Sequence, residues 1–562
     1  MARLSKQLYP WRDAATMRPA ATLIFLRDSA QGLQVLMTRR SATASFAPGV
    51  YVFPGGVVDD EDRELAQLAA NAALHTTPGQ SSLVSKRLDQ DANELAWAIA
   101  ACREATEELG IVLARFNAEQ TYVSPQTIDR DKPLGIQLQS LQAHWAADQV
   151  YSFSHWQTDQ DMPRRFDVRF MVAKIPSDQI AIADEGEQFE PEWIVPSQGL
   201  TRFERGEFNI IFPTIRTLKS LANFSCADDV IAHCKAQLSL PFFLPRAGYL
   251  RGQDSRHTAD EMQYGELQLV CPDGQIQHHL DWQTDRPVPL LKHIQRLTCP
   301  NPGVMTGPGT NTYIIGEGNQ FVVIDPGPDD KEHIERIAAI VGPHLTHILC
   351  THSHPDHHPG AKRLQALCTA NNTAMAPIMG LPMPYAYKQN NGKQRDTQYE
   401  TPNNWHFDPD VVLHDGQCVR VGDSTLRAIH TPGHASNHLC FLLEEDQLLF
   451  SGDHILNGVT PIINPPDGDM QAYLDSLNHL ASFDFDFIFP AHGYVLAPAK
   501  LAIEKLIAHR LKREAKVVAA IAKVGDSDLD VLVAAVYDDV DVKLHPAAKR
   551  SLLAHLIKLK TV

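Results

Sequence analysis

The chain of 562 residues carries 67 acidic against 50 basic side chains, a formal net charge of −17, and 44% of its residues are hydrophobic. This length predicts several domains, and the ordinary hydrophobic fraction excludes a mostly disordered, collagen-like or coiled-coil chain. The negative charge excludes bulk electrostatic attraction to nucleic acid, so any such contact requires a local basic patch.

The sequence contains no apolar run long enough to cross a membrane and no signal-peptide pattern, so we expect no membrane partner. Its nine cysteines are scattered without any Cys-x-x-Cys pair. This usage predicts reduced thiols and a cytoplasmic protein rather than a disulfide framework. More unusual are the 26 histidines, several of which stand close to aspartates.

Composition and periodicity divide the chain into five segments. They are a polar tail over 1–18, an α+β unit over 19–225, a linker with a small β hairpin over 226–290, a second unit over 291–497 and a helical tail over 498–562. In the α+β unit, apolar alternation predicts strands over 21–26 and 33–37, and helical periodicity predicts a helix over 93–109. Its later elements are strands near 165–175 and 191–195 and a helix near 213–222.

In the linker, Cys271-Pro-Asp-Gly274 is typical of a hairpin turn and predicts strands over 266–270 and 275–280. In the second unit, short apolar strands end in loops rich in His, Asp and Gly, a pattern typical of chemistry at strand ends. These strands are expected over 312–315, 321–324, 347–350, 448–450 and 487–489, and three tail helices are expected over 498–523, 527–537 and 546–560.

The helix predicted over 93–109 concentrates negative charge. Glu104, Glu107 and Glu108 lie at positions i, i+3 and i+4, so they share one helix face. Like charges at this spacing cost a few tenths of a kcal/mol per pair, and Arg103 offsets only part of that cost. Such a face is either fully solvated or holds a hard cation, and Mg²⁺ prefers oxygen ligands together with substrate phosphates.

The segment Arg103-Glu-Ala-Thr-Glu-Glu-Leu-Gly110-Ile111 resembles the helix of the Nudix box, and Phe53-Pro-Gly-Gly56 resembles the loop of that box. A long insertion separates the two parts, and Asp62 stands where the box has its first glutamate. The resemblance implies an α+β Nudix hydrolase domain over 19–225 that holds Mg²⁺ or Mn²⁺. The roles it implies are metal ligation by Glu104, Glu107 and Glu108, catalysis by Glu104 and Glu107, and cofactor binding by Arg103, Gly55 and Gly56.

A second Nudix feature concerns the substrate. The run from Leu36-Met-Thr-Arg-Arg-Ser41 to Gly56 resembles the signature of Nudix coenzyme A diphosphatases, which carry an arginine where this chain has Ser45. The long insertion, Phe166-Asp-Val-Arg-Phe170 and Glu192-Trp193 resemble the peroxisomal type of these enzymes. The implied reaction is cleavage of a pyrophosphate in a nucleotide-like small molecule, with coenzyme A as one candidate.

Histidine and aspartate recur just after apolar strands in the second unit. Thr351-His352-Ser-His354-Pro-Asp356-His357 follows the strand expected over 347–350. Later come His430-Thr-Pro-Gly-His434, Ser451-Gly-Asp453 and Pro490-Ala-His492-Gly493, where glycine permits a close backbone approach. This recurrence indicates a metal site rather than a solvated or core histidine cluster.

These motifs, in this order, resemble the metallo-β-lactamase fold hydrolases. The resemblance implies an αββα metallo-β-lactamase sandwich over 291–497 with two metal ions and with Asp325 supporting the ligands. Imidazole-rich ligation suits Zn²⁺, with Mn²⁺ or Fe²⁺ as alternatives. The implied ligands are His352, His354 and His434 for one ion and Asp356, His357 and His492 for the other, with Asp453 bridging both and Asp356 also assigned to catalysis.

The substrate of this second site stays open between two classes. Asn301-Pro-Gly-Val-Met305 and the helical tail resemble the β-lactamase-like endoribonucleases and their winged-helix-like C-terminus, which implies cleavage of single-stranded RNA. Glyoxalase II thioesterases share the same ligand set. Bases and aromatics over 385–405, and the basic residues of the tail helix over 498–523, could contact such an RNA or form solvated surfaces.

Three hypotheses follow from these observations. The first is a bifunctional hydrolase, with a Nudix pyrophosphatase joined to a dinuclear metallohydrolase that acts on a phosphodiester, RNA or a thioester. The second restricts catalysis to the metallo-β-lactamase half and leaves the Nudix half to sense or bind nucleotide. The third is a non-enzymatic RNA-binding scaffold.

Overall fold

The computed structural model describes residues 5–44, 47–72, 84–87, 90–116, 120–369, 375–383, 406–525 and 528–561. The chain forms two compact units: one comprises Ala14–Pro245, and the other comprises Met1–Asp13 together with Arg246–Val562. The predicted linker over 226–290 is therefore divided between the units, and most of the predicted 1–18 tail belongs to the second. Among the described helices, none has the length and apolar character that a membrane span requires.

The first unit contains ten strands and six helices in its described part. Their bounds are β1 Met17–Ser29, β2 Gly32–Arg40, β3 Tyr51–Val52, β4 Gly55–Val57, α1 Asp60–Ala72, α2 Ala92–Leu109, β5 Ala114–Phe116, α3 Leu134–Ser140, β6 Ala143–Trp145, β7 Tyr151–Gln157, β8 Arg165–Lys174, β9 Gln188–Ile194, α4 Pro196–Glu204, α5 Phe212–Leu221, α6 Ala227–Ala236 and β10 Phe242–Phe243.

Strand β1 is the centre of the main sheet of this unit. It pairs in parallel with β8 and antiparallel with β2, within the order β10-β7-β8-β1-β2-β3. Leu23 and Phe25 face helix α2, while Ile24 and Leu26 face the opposite core beside α5 and α6. Because both faces are covered, β1 is a nearly continuous apolar run rather than an alternating one.

Helix α2, which carries the acidic face, is fixed at both ends. The side chain of Asp91 accepts a hydrogen bond from the backbone N–H of Glu94, and Gly110 ends the helix in the left-handed conformation at φ 62°. Asp91 is an N-cap residue and glycine is the usual residue at a left-handed C-terminus. The helix therefore begins and ends within one residue of the prediction.

The second unit contains fourteen strands and seven helices in its described part. Their bounds are β11 Arg246–Leu250, β12 Gln253–His257, α7 Tyr264–Val270, β13 Val288–Leu291, β14 Ile294–Thr298, β15 Asn311–Glu317, β16 Gln320–Ile324, α8 Lys331–Val341, β17 Leu345–Leu349, α9 Gly360–Thr369, β18 Ile378–Gly380, β19 Val411–Val412, β20 Cys418–Val421, β21 Ser424–His430, β22 Leu439–Leu443, β23 Leu448–Gly452, α10 Met470–Leu480, β24 Phe487–Pro490, α11 Ala499–Val524, α12 Leu529–Val536 and α13 His545–Thr561.

Two sheets form the centre of the second unit. The first has the order β13-β14-β15-β16-β17-β18-β19 and the second the order β20-β21-β22-β23-β24. Apolar side chains of both sheets share one core, exemplified by Ile315 and Leu349 against Phe441 and Phe489. Helices α8 and α9 cover the outer face of the first sheet, and α10 and α11 cover that of the second. The αββα sandwich is confirmed, as is the helical C-terminus.

The hairpin predicted around Cys271-Pro-Asp-Gly274 is wrong. Residues 266–270 lie in helix α7, and 275–280 form only an isolated bridge between Tyr249 and His279. The hairpin of this region is β11–β12 instead. Periodicity failed here because α7 is short and six of its seven residues are buried, so its apolar pattern does not distinguish a helix from a strand.

A buried ion pair holds α7 against the sandwich. The guanidinium of Arg296 on β14 pairs with the carboxylate of Glu266, which also contacts His278 Nε2 at 2.8 Å. Arg296 and Glu266 are fully buried, and the guanidinium lies 4.8 Å from the ring centroid of Trp282. Although burial opposes ionisation, Arg296 and His278 lower the pKa of Glu266 to about 2.

The first described residues are bound to the second unit. Lys6 Nζ lies 2.9 Å from Asp446 Oδ2, and the same oxygen lies 2.8 Å from His293 Nε2. Farther along, the backbone N–H of Arg12 donates to Asp273. The segment predicted as a polar tail is therefore a packed strap over 5–13.

We expect Glu266→Gln to lower the free energy of unfolding of the second unit by about 3–5 kcal/mol, because Arg296 would remain buried without a counter-charge. The measurement is urea unfolding followed by tryptophan fluorescence. The matched control is Glu444→Gln, which breaks the half-exposed pair with Arg427 and should cost less than about 1 kcal/mol. Equal losses for the two variants would contradict the expectation.

Candidate metal centre and acidic helix

The histidine and aspartate motifs all follow strands of the two sheets. Asp325 follows β16, and the His352 motif follows β17, its parallel neighbour. His434 follows β21, while Asp453 and His492 follow the parallel pair β23 and β24. The carboxyl ends of parallel neighbours meet at one edge of a sheet, so these loops converge.

The loop before His434 depends on a glycine. Gly433 has φ 134°, and a Cβ atom built there would lie 2.3 Å from the backbone Cα of Tyr473 on α10. Any other residue would push the loop away from α10. Glycine thus explains the close approach that brings His434 to the centre.

Seven side chains predicted as ligands are brought together in two groups, and within each group the potential ligand atoms lie within 4.8 Å of one another. The first group is His352, His354, His434 and Asp453, and the second is Asp356, His357 and His492. Six of the seven side chains lie on loops after strand ends that the sequence marked, and all seven are at least half-buried.

Asp453 lies between the two groups. Its Oδ2 faces the first group, 3.6 Å from Nε2 of His434. Its Oδ1 faces the second group, 3.6 Å from Nε2 of His357 and 3.3 Å from Nε2 of His492. Asp356 Oδ2 is 3.3 Å from Nε2 of both His357 and His492. The Asp453 carboxylate is thus shared between the two groups, whereas the Asp356 carboxylate belongs to the second group alone.

Several inward-facing atoms lack a conventional partner. Nε2 of His357, Nε2 of His492 and Oδ1 of Asp453 are buried without a hydrogen bond of acceptable geometry. Buried polar atoms are almost always hydrogen-bonded in native proteins. These unpartnered nitrogen and oxygen atoms fit a pair of divalent transition-metal ions, because the two groups contain more imidazoles than carboxylates.

The charge states of the histidines differ between the groups. Burial lowers the pKa of His352 well below its usual value and that of His354 to about 3, so both are neutral at pH 7. In the second group burial acts in the same direction, but neighbouring carboxylates dominate. They raise the pKa of His357 well above its usual range and that of His492 to about 10.

Contacts outside the two groups orient these ligands. Asp325 Oδ1 accepts from the backbone N–H of Thr351, its Oδ2 accepts from the Thr351 hydroxyl, and Oδ2 lies 2.9 Å from His357 Nδ1. Hydrogen bonds of this kind set the orientation of a ligand ring. They agree with the supporting position expected of Asp325.

Other supports were not found from the sequence. Backbone carbonyls of Ile462 and Gly309 lie 2.9 and 3.1 Å from Nδ1 of His434 and His492. His438 Nδ1 contacts Thr431, and its Nε2 accepts from the backbone N–H of Asp453. Carbonyl contacts leave no signal in side-chain identity, and His438 stands only four residues after His434 in the chain.

In the first unit, Arg103 connects the Nudix-box residues across the long insertion. Its Nη1 lies 2.9 Å from both Glu104 Oε1 and Glu107 Oε2. Its Nε and Nη2 lie 3.2 and 3.0 Å from Asp62, which is buried. Asp62 therefore pairs with the box arginine from the position of the missing first glutamate.

The loop at Phe53-Pro-Gly-Gly56 packs onto the same helix. The backbone N–H of Gly55 donates to Glu108 at 2.9 Å, and Gln188 donates to the other oxygen at 2.8 Å. A Cβ atom at Gly56 would lie 2.3 Å from Cδ of Glu104. Gln188 was not found from the sequence, because it lies on β9, far from the box in the chain.

The three glutamates are crowded but do not form a compact ligand group. Burial raises the pKa of Glu104 to about 7 and that of Glu108 to about 8. Within the described residues, no set of three ligand atoms within 4.8 Å of one another includes them. Arg103 is the cation that faces Glu104 and Glu107 in this arrangement.

Two sequence features fall elsewhere. Ser45 and the whole segment over 385–405 lie outside the described residues. Three of the seven basic residues of α11 are engaged within the fold: Arg510 donates to the carbonyl of Pro461, Arg513 pairs with Asp539, and Lys516 pairs with Asp538. These three side chains do not form a free basic patch.

Comparison with protein families matches three regions. Residues 305–492 match the metallo-beta-lactamase superfamily, 11–221 match a NUDT19 Nudix domain, and 529–561 match a beta-lactamase associated winged helix domain. The first and second of these families consist of hydrolases.

Among curated relatives, a lactamase-like protein of Aspergillus niger is 31% identical over 237 residues, 42% of this chain and 65% of that protein. The chain thus spans less than two thirds of that relative. The atrochrysone carboxyl ACP thioesterase of Aspergillus chevalieri is 32% identical over 257 residues, 44% of this chain and 73% of that protein.

Solved structures similar to parts of the chain include a NUDIX hydrolase from Alicyclobacillus acidocaldarius, at 26% identity and a TM-score of 0.34, covering 40% of this chain and 98% of that one. A metallo-beta-lactamase family protein from Thermus thermophilus is 22% identical with a TM-score of 0.40, covering 49% of this chain and 95% of that one.

The strand-end histidines, the sandwich that carries them and the matched regions lead to one conclusion. The chain belongs to the metallo-β-lactamase superfamily and joins this domain, in a single polypeptide, to a NUDT19-type Nudix domain and a β-lactamase-associated winged helix.

Proposed function

We propose that the chain is a bifunctional hydrolase whose metallo-β-lactamase half cleaves thioesters at a dinuclear metal centre. The observation that carries this proposal is the pair of ligand groups joined by Asp453, with one oxygen toward each group. His352, His354 and His434 would hold one ion and Asp356, His357 and His492 the other. The imidazole-rich donors favour Zn²⁺, with Mn²⁺ or Fe²⁺ as alternatives.

A bound pair of cations would supply Lewis-acid polarisation of the scissile carbonyl and an easily deprotonated water. The protein's own contribution is positional. The side chain of Asp356 is 24% exposed, whereas those of His357 and His492 are at most 2% exposed. Asp356 is therefore the more accessible member of its group, and we assign its carboxylate to accept a proton from the attacking water.

Two observations favour a thioester over single-stranded RNA. One is the relative named as an acyl-carrier-protein thioesterase. The other is the engagement of Arg510, Arg513 and Lys516 in internal contacts, which removes bases from the patch that an acidic chain needs for RNA. RNA cleavage, or RNA binding without catalysis, would appear as activity or retention with a single-stranded RNA probe in the same assays.

For the Nudix half we propose cleavage of a pyrophosphate in a nucleotide derivative such as coenzyme A, supported by Mg²⁺ or Mn²⁺. The assembly of the box loop, Asp62 and the α2 face around Arg103 supports this proposal. Glu104, Glu107 and Glu108 would hold this cation, which would stabilise charge on the pyrophosphate. The alternative is a nucleotide-binding half without catalysis.

The location we propose is the cytoplasm. All nine cysteines fall within the described residues, and all are free thiols. Free thiols in this number suit a reducing compartment.

His434→Ala should lower the metal content of the purified protein and reduce thioester hydrolysis by more than about 100-fold, because it removes one of three imidazoles from a group. Metal content is measured by elemental analysis of the purified chain. His479→Ala, at an exposed position on α10, is the matched control and should change neither quantity. Unchanged metal content in His434→Ala would refute the assignment.

Asp325→Asn should weaken metal binding about 10–100-fold, because the amide is a poorer acceptor for His357 Nδ1 and for the Thr351 hydroxyl. Competition with a chelator of known affinity measures the change. If Asp325→Asn kept all of its metal at chelator concentrations at which the wild type does, the Asp325 contacts would serve folding alone.

Glu107→Gln should abolish magnesium-dependent release of phosphate-containing products from coenzyme A and dinucleotide substrates, while thioester hydrolysis stays at the wild-type rate. Glu64→Gln, at an exposed glutamate on α1, is the control for the loss of one negative charge. Absence of pyrophosphatase activity in the wild type, combined with nucleotide binding by calorimetry, would support the nucleotide-sensing alternative.

A further inference from the structure

A cavity of about 690 Å³ lies in the second unit between the metal-site loops and the tail helices. None of the seven proposed ligands lines it. Residues 455–462, which closely follow Asp453, form one wall, and the tail helix α11 forms another. Its volume falls in the range of small-molecule sites, which is about 300–1,000 Å³.

Two walls of the cavity are tied to metal-site histidines. The carbonyl of Ile462 lies 2.9 Å from His434 Nδ1. Val304 and Met305 belong to the loop between β14 and β15, and the carbonyl of Gly309 in that loop lies 3.1 Å from His492 Nδ1. A ligand in the cavity would therefore contact segments that also orient one histidine of each ligand group.

The lining carries an unusual number of exposed apolar side chains. Six of them are between 40% and 77% exposed: Met262, Val304, Met305, Val459, Leu501 and Leu544. Single exposed apolar residues are ordinary, but a concentration of them around one concavity marks a binding groove.

Polar atoms without partners lie in the same lining. The hydroxyl of Tyr537 and Nε of Arg510 are buried and have no hydrogen-bond partner, and both residues are more than nine-tenths buried. Nδ1 of His509 is a third such atom. Buried polar atoms in this state call for a ligand or an ordered water.

We propose that this cavity is the acyl pocket of the metallo-β-lactamase half. It takes the apolar chain of a thioester substrate, and an oxygen substituent on that chain pairs with Tyr537 and Arg510. The inference rests on the proposed thioesterase function and adds its substrate class: thioesters of medium or aromatic acyl groups that carry a hydroxyl or keto oxygen. A nucleic acid fits poorly, because six of the exposed side chains in the lining are apolar.

The first test compares N-acetylcysteamine thioesters from butyryl to decanoyl. In the wild type, kcat/KM should rise with chain length, by up to roughly fourfold per added methylene, until the pocket is full. Leu501 lies on α11 and lines the cavity, so Leu501→Asp should abolish this rise. Leu511→Asp is the matched control, because Leu511 lies on the same helix, is 49% exposed and does not line the cavity.

The second test concerns the unpartnered hydroxyl. Tyr537→Phe removes one oxygen and no carbon, so the fold should persist. We expect the wild type to prefer a 3-hydroxyacyl thioester over the unsubstituted acyl thioester of equal length, and Tyr537→Phe to lose this preference through KM rather than kcat. An unchanged preference would overturn the role of Tyr537.

A binding measurement separates this inference from the proposed function. The amphiphilic fluorophore 1-anilinonaphthalene-8-sulfonate should bind the wild type and Leu511→Asp equally, and Leu501→Asp at least about tenfold more weakly. If the fluorophore bound in this way but no thioester were hydrolysed, the result would support the cavity as a binding site and overturn the thioesterase proposal. Thioester hydrolysis at rates independent of chain length, or equal fluorophore binding by the two variants, would overturn the pocket.

Discussion

The metal centre depends on one buried carboxylate that does not itself belong to a ligand group. Asp325, at the end of β16, binds the backbone and hydroxyl of Thr351 and the ring of His357. Thr351 directly precedes His352, so the carboxylate fixes the start and the end of the motif between them. A buried polar group is stable only when its hydrogen bonds are satisfied. The ordered turn from 351 to 357 is what satisfies Asp325.

The two halves of the chain solve the problem of crowded ionisable groups differently. In the metallo-β-lactamase half, burial keeps the first group of histidines neutral, so their nitrogen lone pairs are available. In the Nudix half, carboxylates crowd around Arg103, which reaches Asp62, Glu104 and Glu107. The first arrangement suits borderline-soft ions and the second suits hard ions with oxygen ligands. One polypeptide therefore holds two chemically distinct clusters of ionisable side chains.

The grouping of the seven His and Asp side chains could be predicted from the sequence, because they lie in short motifs after strongly apolar strands. Sequence patterns predicted the acidic face of α2 equally well, since helical spacing alone aligns Glu104 with Glu107 and Glu108. They could not predict Gln188 or the carbonyl of Ile462, because these contacts arise from tertiary packing. The α7 region was assigned to strands because its apolar residues fit either period, whereas the structure has a helix there, from which Glu266 pairs with Arg296. Likewise, the sequence does not show that Arg510 and Arg513 have internal partners, because these contacts also arise from tertiary packing.

The strap over 5–13 determines which fragments of the chain keep the contacts of the second unit. It packs on the second unit, while the chain between residues 14 and 245 forms the first. The Nudix unit is thus inserted into its neighbour rather than placed before it. A fragment that starts at residue 246 would lack Lys6, and Asp446 would keep only His293 of the two side-chain contacts made by its Oδ2. A faithful dissection would excise the inserted unit and rejoin its flanks.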